Sequence, residues 1–254
     1  MSNLLLLILL SLGSYLLGNV NWALLISKLK KTDIRKMGSG NPGTLNMSRN
    51  LGLKFGLLTF LLDILKGAIP TLVAFFLLRN RIFKDTTFIV SDLGTYLCGF
   101  SAVMGHIYPV FLKFKGGKGI ASTIGVLIVC EAVHGWEWSM VIIMALVAAL
   151  VFIYITEFGA MGSFIAITPP AISGSIRLFL TYGGLEMNLT VTYYVITSML
   201  IFALCFFTWF AHRKNIERML AGEEHPTSIK EMVVKARAKK QAQRQMAKNI
   251  EQGK

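Results

Sequence analysis

KFGLLTFLLDILKGAIPTLVAFFLL, residues 54–78, decides the fold. Charge occurs only at Lys54 on its edge and at Asp63 and Lys66 within it. A helix needs about 20 mostly apolar residues to cross a bilayer, and this stretch supplies them. Asp63 and Lys66 lie three apart and so share a helix face, where an ion pair is the economical arrangement for charge inside a membrane. The pair is read either as structural support for a nearby site or as a direct ligand.

Similar apolar runs recur at about 4–26, 87–112, 119–134, 138–156, 159–180 and 190–211. The 254 residues are 54% hydrophobic, with a mean hydropathy of +0.59, well above an ordinary soluble domain. The expected fold is therefore all-α, a polytopic transmembrane bundle of about seven spans. A soluble α-protein with buried helices is the other reading of such runs. The run at 119–134 is short, which leaves a half-buried helix open. Pro169 and Pro170 should kink or break the sixth span. Cys98, Cys130 and Cys205 all fall in apolar runs, with no disulfide or zinc spacing, and read as small packing residues. MSNLLLLILL lacks a basic start and a small-residue cleavage site, so it reads as a retained first span.

The net charge is +13, but the basic residues sit between and after the apolar runs. That pattern points to membrane topology and not to nucleic acid. Lys28, Lys30, Lys31, Arg35, Lys36 and Arg49 fill the first connection, and Lys113, Lys115 and Lys118 the third. The segment after 212 holds eleven more. With seven spans these three regions share one side, which the positive-inside rule makes cytoplasmic, with the N-terminus outside and the C-terminus inside. Arg79, Arg81 and Lys84 fall on the outer side and oppose this as a minority. The organisation expected is a membrane domain over 1–211, with polar loops at 37–50 and 105–123, then a third polar segment and basic tail over 212–254. The tail either lies along an anionic inner leaflet or is solvated.

Three polar clusters fall on that common side. The first, MGSGNPGTLNMSR (37–49), has three glycines and a proline in close succession and is expected to be a tight loop, not a helix. Its backbone N–H groups can face an anion as a nest, around Ser39, Gly40, Asn41, Gly43 and Asn46, and Arg49 offers a planar fork for phosphate. Asn46-Met-Ser and Asn188-Leu-Thr fit the glycosylation sequon, and Asn46 is discounted because it falls on the inner face. The second cluster, GHIYPVFLKFKGGKGIAST (105–123), places His106 before a loop containing Lys115, Gly116, Gly117, Lys118 and Gly119. Because Gly119 follows Lys118, it is not a nucleotide-binding P-loop. Glycines and lysines ahead of a helix start nonetheless suit an anion. The third, FAHRKNIERMLAGEEH (210–225), brings His212, Asn215 and Arg218 near one another if a helix continues there. His212 and Glu217 are too poorly spaced for a dyad. No carboxylate or histidine cluster has metal-ligand spacing, and no cofactor is implied.

With these clusters in place, the chain resembles the bacterial PlsY family of integral-membrane glycerol-3-phosphate acyltransferases. SGNPGTLNMSR, GHIYPVFLKFKGGKGIAST and HRKNIERMLAGEE look like its three motifs, and DILKG resembles its second-span pattern. The resemblance implies seven spans and transfer of an acyl group from acyl-phosphate to the 1-hydroxyl of sn-glycerol 3-phosphate. The products would be 1-acyl-sn-glycerol 3-phosphate and phosphate, in the first acylation of phospholipid synthesis. It implies a multi-pass protein of the bacterial cell membrane whose site faces the cytoplasm, with no obligate protein partner. It places Ser39, Arg49 and Lys118 at substrate phosphate, with Gly117 and Gly119 completing the cradle, and assigns His212, Asn215, Lys118 and Arg49 to catalysis. Asp63, Lys66 and His106 are expected to support them. Two departures stand out. Lys214 occupies a position that is often acidic in the family, and where the family pattern resembles R-Y-V-S-L-G-S this chain has Glu157, Ala160 and Ser163. A different class stays open: a membrane transporter of a phosphorylated small molecule, which would also use intramembrane charge and broken helices. So do an acyltransferase with acyl-CoA or acyl-carrier-protein donors and an inactive scaffold.

Overall fold

The computed structural model describes residues 2–183 and 189–224, then 226–228, 230–231, 233–234, 237–238 and 241. Asn188 and most of the basic tail lie outside the described residues. The helices are α1 (Asn3–Gly18), α2 (Trp22–Leu29), α3 (Thr44–Leu51), α4 (Leu53–Leu78), α5 (Val90–Ile107), α6 (Ile120–Ala132), α7 (Trp136–Thr156), α8 (Gly159–Tyr182), α9 (Leu189–Phe210) and α10 (Arg213–Leu220). Among the described residues there is no strand, only an isolated bridge between Ile82 and Ile89. The protein is all-helical, as its apolar periodicity requires.

Among the described residues, six helical segments are long and apolar enough to cross a membrane: Asn3–Leu29, Leu53–Leu78, Val90–Leu112, Trp136–Thr156, Gly159–Tyr182 and Leu189–Phe210. The expected fourth span is α6, whose 13 residues reach only about 20 Å at 1.5 Å per residue. Its Ser122, Thr123, Val126 and Leu127 are fully enclosed, so neighbouring helices and not lipid surround it. Lipid-facing leucines, valines and phenylalanines cover the long helices instead, as a bilayer solvent demands.

Three details differ from the sequence reading. The first span is broken: α1 stops at Gly18, and the buried Asn21 caps α2 by accepting the Leu24 N–H at 3.0 Å. The apolar run hid this because Val20 and Trp22 continue it. Pro169 and Pro170 do not break α8, which runs through both; the packed helices around it hold the turn together. Residues 44–51 are helix α3 and not loop, because the stretch between Gly43 and Gly52 contains neither glycine nor proline. Gly52, at φ 102°, ends it.

α5 is the central element, packed against α1, α4, α6 and α9. Backbones of α4 and α6 come into direct contact. A Cβ at Gly67 would overlap the Ser122 carbonyl, and one at Gly125 would overlap that of Ile64, the small-residue packing typical of membrane helices. The first turn of α5 holds Asp92 and its last holds His106, roughly 20 Å apart along the axis. These mark the two ends of the bundle. At the Asp92 end, Tyr182 Oη donates to Asp92 at 2.6 Å, with His134 Nε2 at 3.2 Å and Arg177 Nη1 at 3.5 Å. Sequence reading did not connect these residues. Arg177→Met should lower unfolding stability by roughly 3–5 kcal/mol, because it leaves the buried Asp92 without its guanidinium partner. Unfolding in detergent micelles measures this, and the environment of Lys118 at the other end should not change.

Candidate functional site

The His106 end carries all three polar clusters. In the first, Gly38 and Gly40 adopt left-handed φ of 54° and 70° and fold the loop back on α3. Asn46 closes it. Its Nδ2 donates to Ile34 O at 3.1 Å and Met37 O at 3.0 Å, while its Oδ1 accepts from the Ser39 N–H at 3.1 Å and Asn50 Nδ2 at 2.9 Å. The amide is thus consumed within its own loop. Asn46, expected from sequence at the anion, staples its own loop. Ser39 is exposed at the loop, Asn41 is half-buried, and Gly43 precedes the first turn of α3. Arg49 leaves α3 one turn after Asn46, and its Nη2 donates to Pro226 O and Thr227 Oγ1, each at 3.0 Å.

The second cluster is braced from inside the bundle. The Lys66 ammonium lies 3.0 Å from Asp63 Oδ1, donates to Val20 O at 2.8 Å, and meets His106 Nδ1 at 2.6 Å. An ammonium is donor-only, so Nδ1 accepts and the proton of neutral His106 sits on Nε2. Val20 O is available because the first span is broken there. The expected Asp63–Lys66 pair therefore exists, and it reaches the loop through His106. Gly117 N–H donates to His106 O at 3.1 Å and Gly116 N–H to Ile107 O at 3.2 Å. A Cβ on Gly117 would overlap the His106 ring. Lys113 and Phe114 are left-handed, at φ 54° and 59°, and reverse the chain. Lys115 stays exposed on that turn, whereas Lys118 is drawn inward. Gly119, at φ 87°, then starts α6.

The third cluster meets the second. Lys118 Nζ donates to Asn215 Oδ1, and Asn215 Nδ2 donates to Glu224 Oε1 at 2.6 Å. Glu224 Oε2 accepts from Arg218 Nε at 3.0 Å. Asn215 and Arg218, three apart on α10, thus share one carboxylate. Burial pushes the Lys118 pKa down to about 8; Glu224 opposes that shift, and the charges of Arg218 and Arg49 add to it. His212 is buried at the start of α10, with Phe164 of α8 edge-on at 5.6 Å between centroids. Its Nδ1 lies 2.9 Å from Thr208 O. A carbonyl only accepts, so Nδ1 carries the proton and Nε2 presents a lone pair. Burial, and then the Lys118 charge, hold the His212 pKa near 4, against a smaller upward pull from Thr208 O.

The structure thus gathers Arg49, Lys118, His212 and Asn215 into one electrostatic neighbourhood. Asp63, Lys66 and His106 stand behind it, and Lys115 lies apart on the exposed turn. Glu224 and Thr227 were missed; acids and hydroxyls next to a basic tail look like solvated chain in sequence. Ala160 and Phe164, four apart, share a face of α8, so Ala160 lies toward His212. The hydroxyl of Ser163 bonds back to Gly159 O at 2.8 Å within its own helix. The loop N–H groups of Ser39, Gly40, Gly43, Gly116 and Gly117 are taken up by protein oxygens, and the arrangement offers clustered cations and a neutral imidazole acceptor, which suits a phosphorylated substrate whose hydroxyl must be oriented.

Comparison with known proteins agrees with this chemistry. The family model for glycerol-3-phosphate acyltransferase matches residues 8–222. A glycerol-3-phosphate acyltransferase of Aquifex aeolicus is 36% identical over 212 residues, covering 84% of this chain and 94% of the relative. One from Desulfotalea psychrophila is 37% identical over 215 residues, covering 83% and 93%. Among solved structures, the glycerol 3-phosphate form of PlsY (YgiH), an integral membrane glycerol 3-phosphate acyltransferase, aligns with a TM-score of 0.67 at 31% identity, over 89% of this chain and 98% of that one. Its lysophosphatidic acid form aligns at 0.65 and 30%.

The electrostatics of the site can be read directly. Nitrogen NMR of His212 should show a neutral, Nδ1-protonated ring at pH 7 that titrates near pH 4. Lys118→Ala removes a neighbouring positive charge and should raise that value. A His212 titrating near its ordinary value in the wild type would contradict the geometry.

Proposed function

The chain belongs to the PlsY family of glycerol-3-phosphate acyltransferases and acylates glycerol 3-phosphate, and from that premise we propose that its donor is an acyl-phosphate. Both substrates then carry phosphate, which accounts for two loops and three cations at one site. Lys118, held between Asn215 and the charges of Arg49, Arg218 and Glu224, is the observation that carries this reading. Lys118 and the turn into α6 at Gly119 hold one phosphate, and Arg49 and the Ser39 side chain hold the other.

The 1-hydroxyl oxygen of glycerol 3-phosphate attacks the acyl carbonyl carbon. The bond from that carbon to the phosphate oxygen breaks, giving 1-acyl-sn-glycerol 3-phosphate and inorganic phosphate. Acyl-phosphate is a mixed anhydride with a good leaving group, so no covalent enzyme intermediate is required. The cations offset the charge that develops on the departing phosphate. His212 Nε2 accepts a hydrogen bond from the attacking hydroxyl and orients it. An imidazole whose pKa lies near 4 is a weak base at neutral pH, so a phosphate oxygen takes the proton.

We place the protein in the bacterial cell membrane with this site toward the cytoplasm. The basic residues of the first and third connections and of the tail support that side. α6 runs from Lys118 at one end to His134 beside Asp92 at the other, which supports a seventh, protein-enclosed crossing. The acyl chain lies between helices or in lipid, which explains a membrane location for the reaction.

Purified protein in detergent should release phosphate from palmitoyl-phosphate only when glycerol 3-phosphate is present, and Lys118→Ala should abolish release. Turnover with palmitoyl-CoA alone would contradict the donor. Gly117→Ala, which displaces the cradle against His106, should lower kcat/KM by roughly 100-fold. The lysine must be charged to hold phosphate, so kcat/KM should fall as pH rises through about 8. Lys118→Arg should move that limb to higher pH.

A further inference from the structure

Arg49 is expected to grip phosphate, yet its guanidinium already has a partner. Arginine binds phosphate bidentately through one of two edges, Nε with Nη2 or Nη1 with Nη2. Nη2 belongs to both edges. Here Nη2 donates to two acceptors, Pro226 O and Thr227 Oγ1, each at 3.0 Å. Its two N–H groups are matched to two protein oxygens, so neither edge is open to a phosphate as a pair.

Those oxygens belong to a strap that is itself pinned. The Thr227 N–H donates to Glu157 O at 2.8 Å, at the turn between α7 and α8. Lys230 lies over the Tyr154 ring at 4.6 Å. Thr227 is 4% exposed although it lies beyond α10. The strap lies past residue 222, where the family match ends. It meets the site beside Glu157.

We propose that the Pro226–Thr227 strap competes with substrate phosphate for Arg49 and thereby sets the affinity for glycerol 3-phosphate. Substrate capture breaks the two strap bonds and frees Nη2 to complete a two-pronged contact. Thr227 is thus an affinity-determining residue of the known reaction. This rests on the reading of Arg49 as a ligand for the glycerol 3-phosphate phosphate.

The test is the KM for glycerol 3-phosphate in purified full-length protein at saturating palmitoyl-phosphate. Thr227→Val keeps the size and the backbone bond to Glu157 but removes one of the two competing oxygens, leaving Pro226 O. It should lower that KM by roughly 3–10-fold, the scale of one typical net hydrogen bond, with the KM for palmitoyl-phosphate unchanged. Thr227→Ser, which restores the hydroxyl, should return the KM to the wild-type value. In an Arg49→Ala background, Thr227→Val should have no effect. An unchanged or raised KM in Thr227→Val would overturn the proposal, since a strap that merely supported the fold or positioned Arg49 would give one of those results. Arg49→Ala distinguishes the two layers. If it raises the KM while Thr227→Val does not lower it, only the strap inference fails. If Arg49→Ala leaves the KM unchanged, the reading of Arg49 as a phosphate ligand fails with it.

Discussion

Lys66 holds the site together from within the bundle. Its ammonium pairs with Asp63 on its own helix, donates to the carbonyl exposed by the break between α1 and α2, and fixes the tautomer of His106. An isolated charge there would be costly by several kcal/mol, and the three partners offset that cost. Because His106 is fixed in both position and protonation, its ring and carbonyl form a floor on which Gly116 and Gly117 rest. The loop above it can approach only because those residues lack side chains.

From that floor the path to chemistry is short. The loop turns through Gly119 into α6, which leaves Lys118 facing Asn215 of α10. Glu224 ties Asn215 to Arg218, and Thr227 ties the same end of the chain to Arg49. Three sequence clusters, far apart along the chain, become one positively charged surface beside a neutral histidine. The bundle acts as a frame that brings the polar loops together at one end. The opposite end has its own buried charge network around Asp92, which fastens α5, α8 and the segment after α6.

Much of this was legible in sequence, for physical reasons. Apolar runs of bilayer length located α4, α5, α7, α8 and α9 within a few residues, because lipid imposes a simple composition rule. Asp63 and Lys66 were readable because an intramembrane charge must find a partner. The glycine-rich loops announced close backbone approach. What stayed hidden depended on tertiary contact. Nothing in an apolar run marks Val20 as the place where a carbonyl is needed by Lys66. Asn46 has the composition of a ligand but the geometry of a staple. α6 is too short for its role to be read without the helices that enclose it, and Glu224 and Thr227 gain meaning only when the chain folds back across α3 and α10.

The central claim is that a substrate phosphate rests against Lys118. The most direct measurement is a phosphorus–nitrogen dipolar distance, by solid-state NMR, between bound substrate phosphate and 15Nζ-labelled lysine in the membrane-reconstituted protein. The account predicts a strong coupling, matching a charge-assisted hydrogen bond of about 2.7–2.9 Å from nitrogen to oxygen, that disappears in Lys118→Arg. Tight substrate binding with no such coupling, or a coupling that survives that substitution, would place the phosphate elsewhere and contradict it.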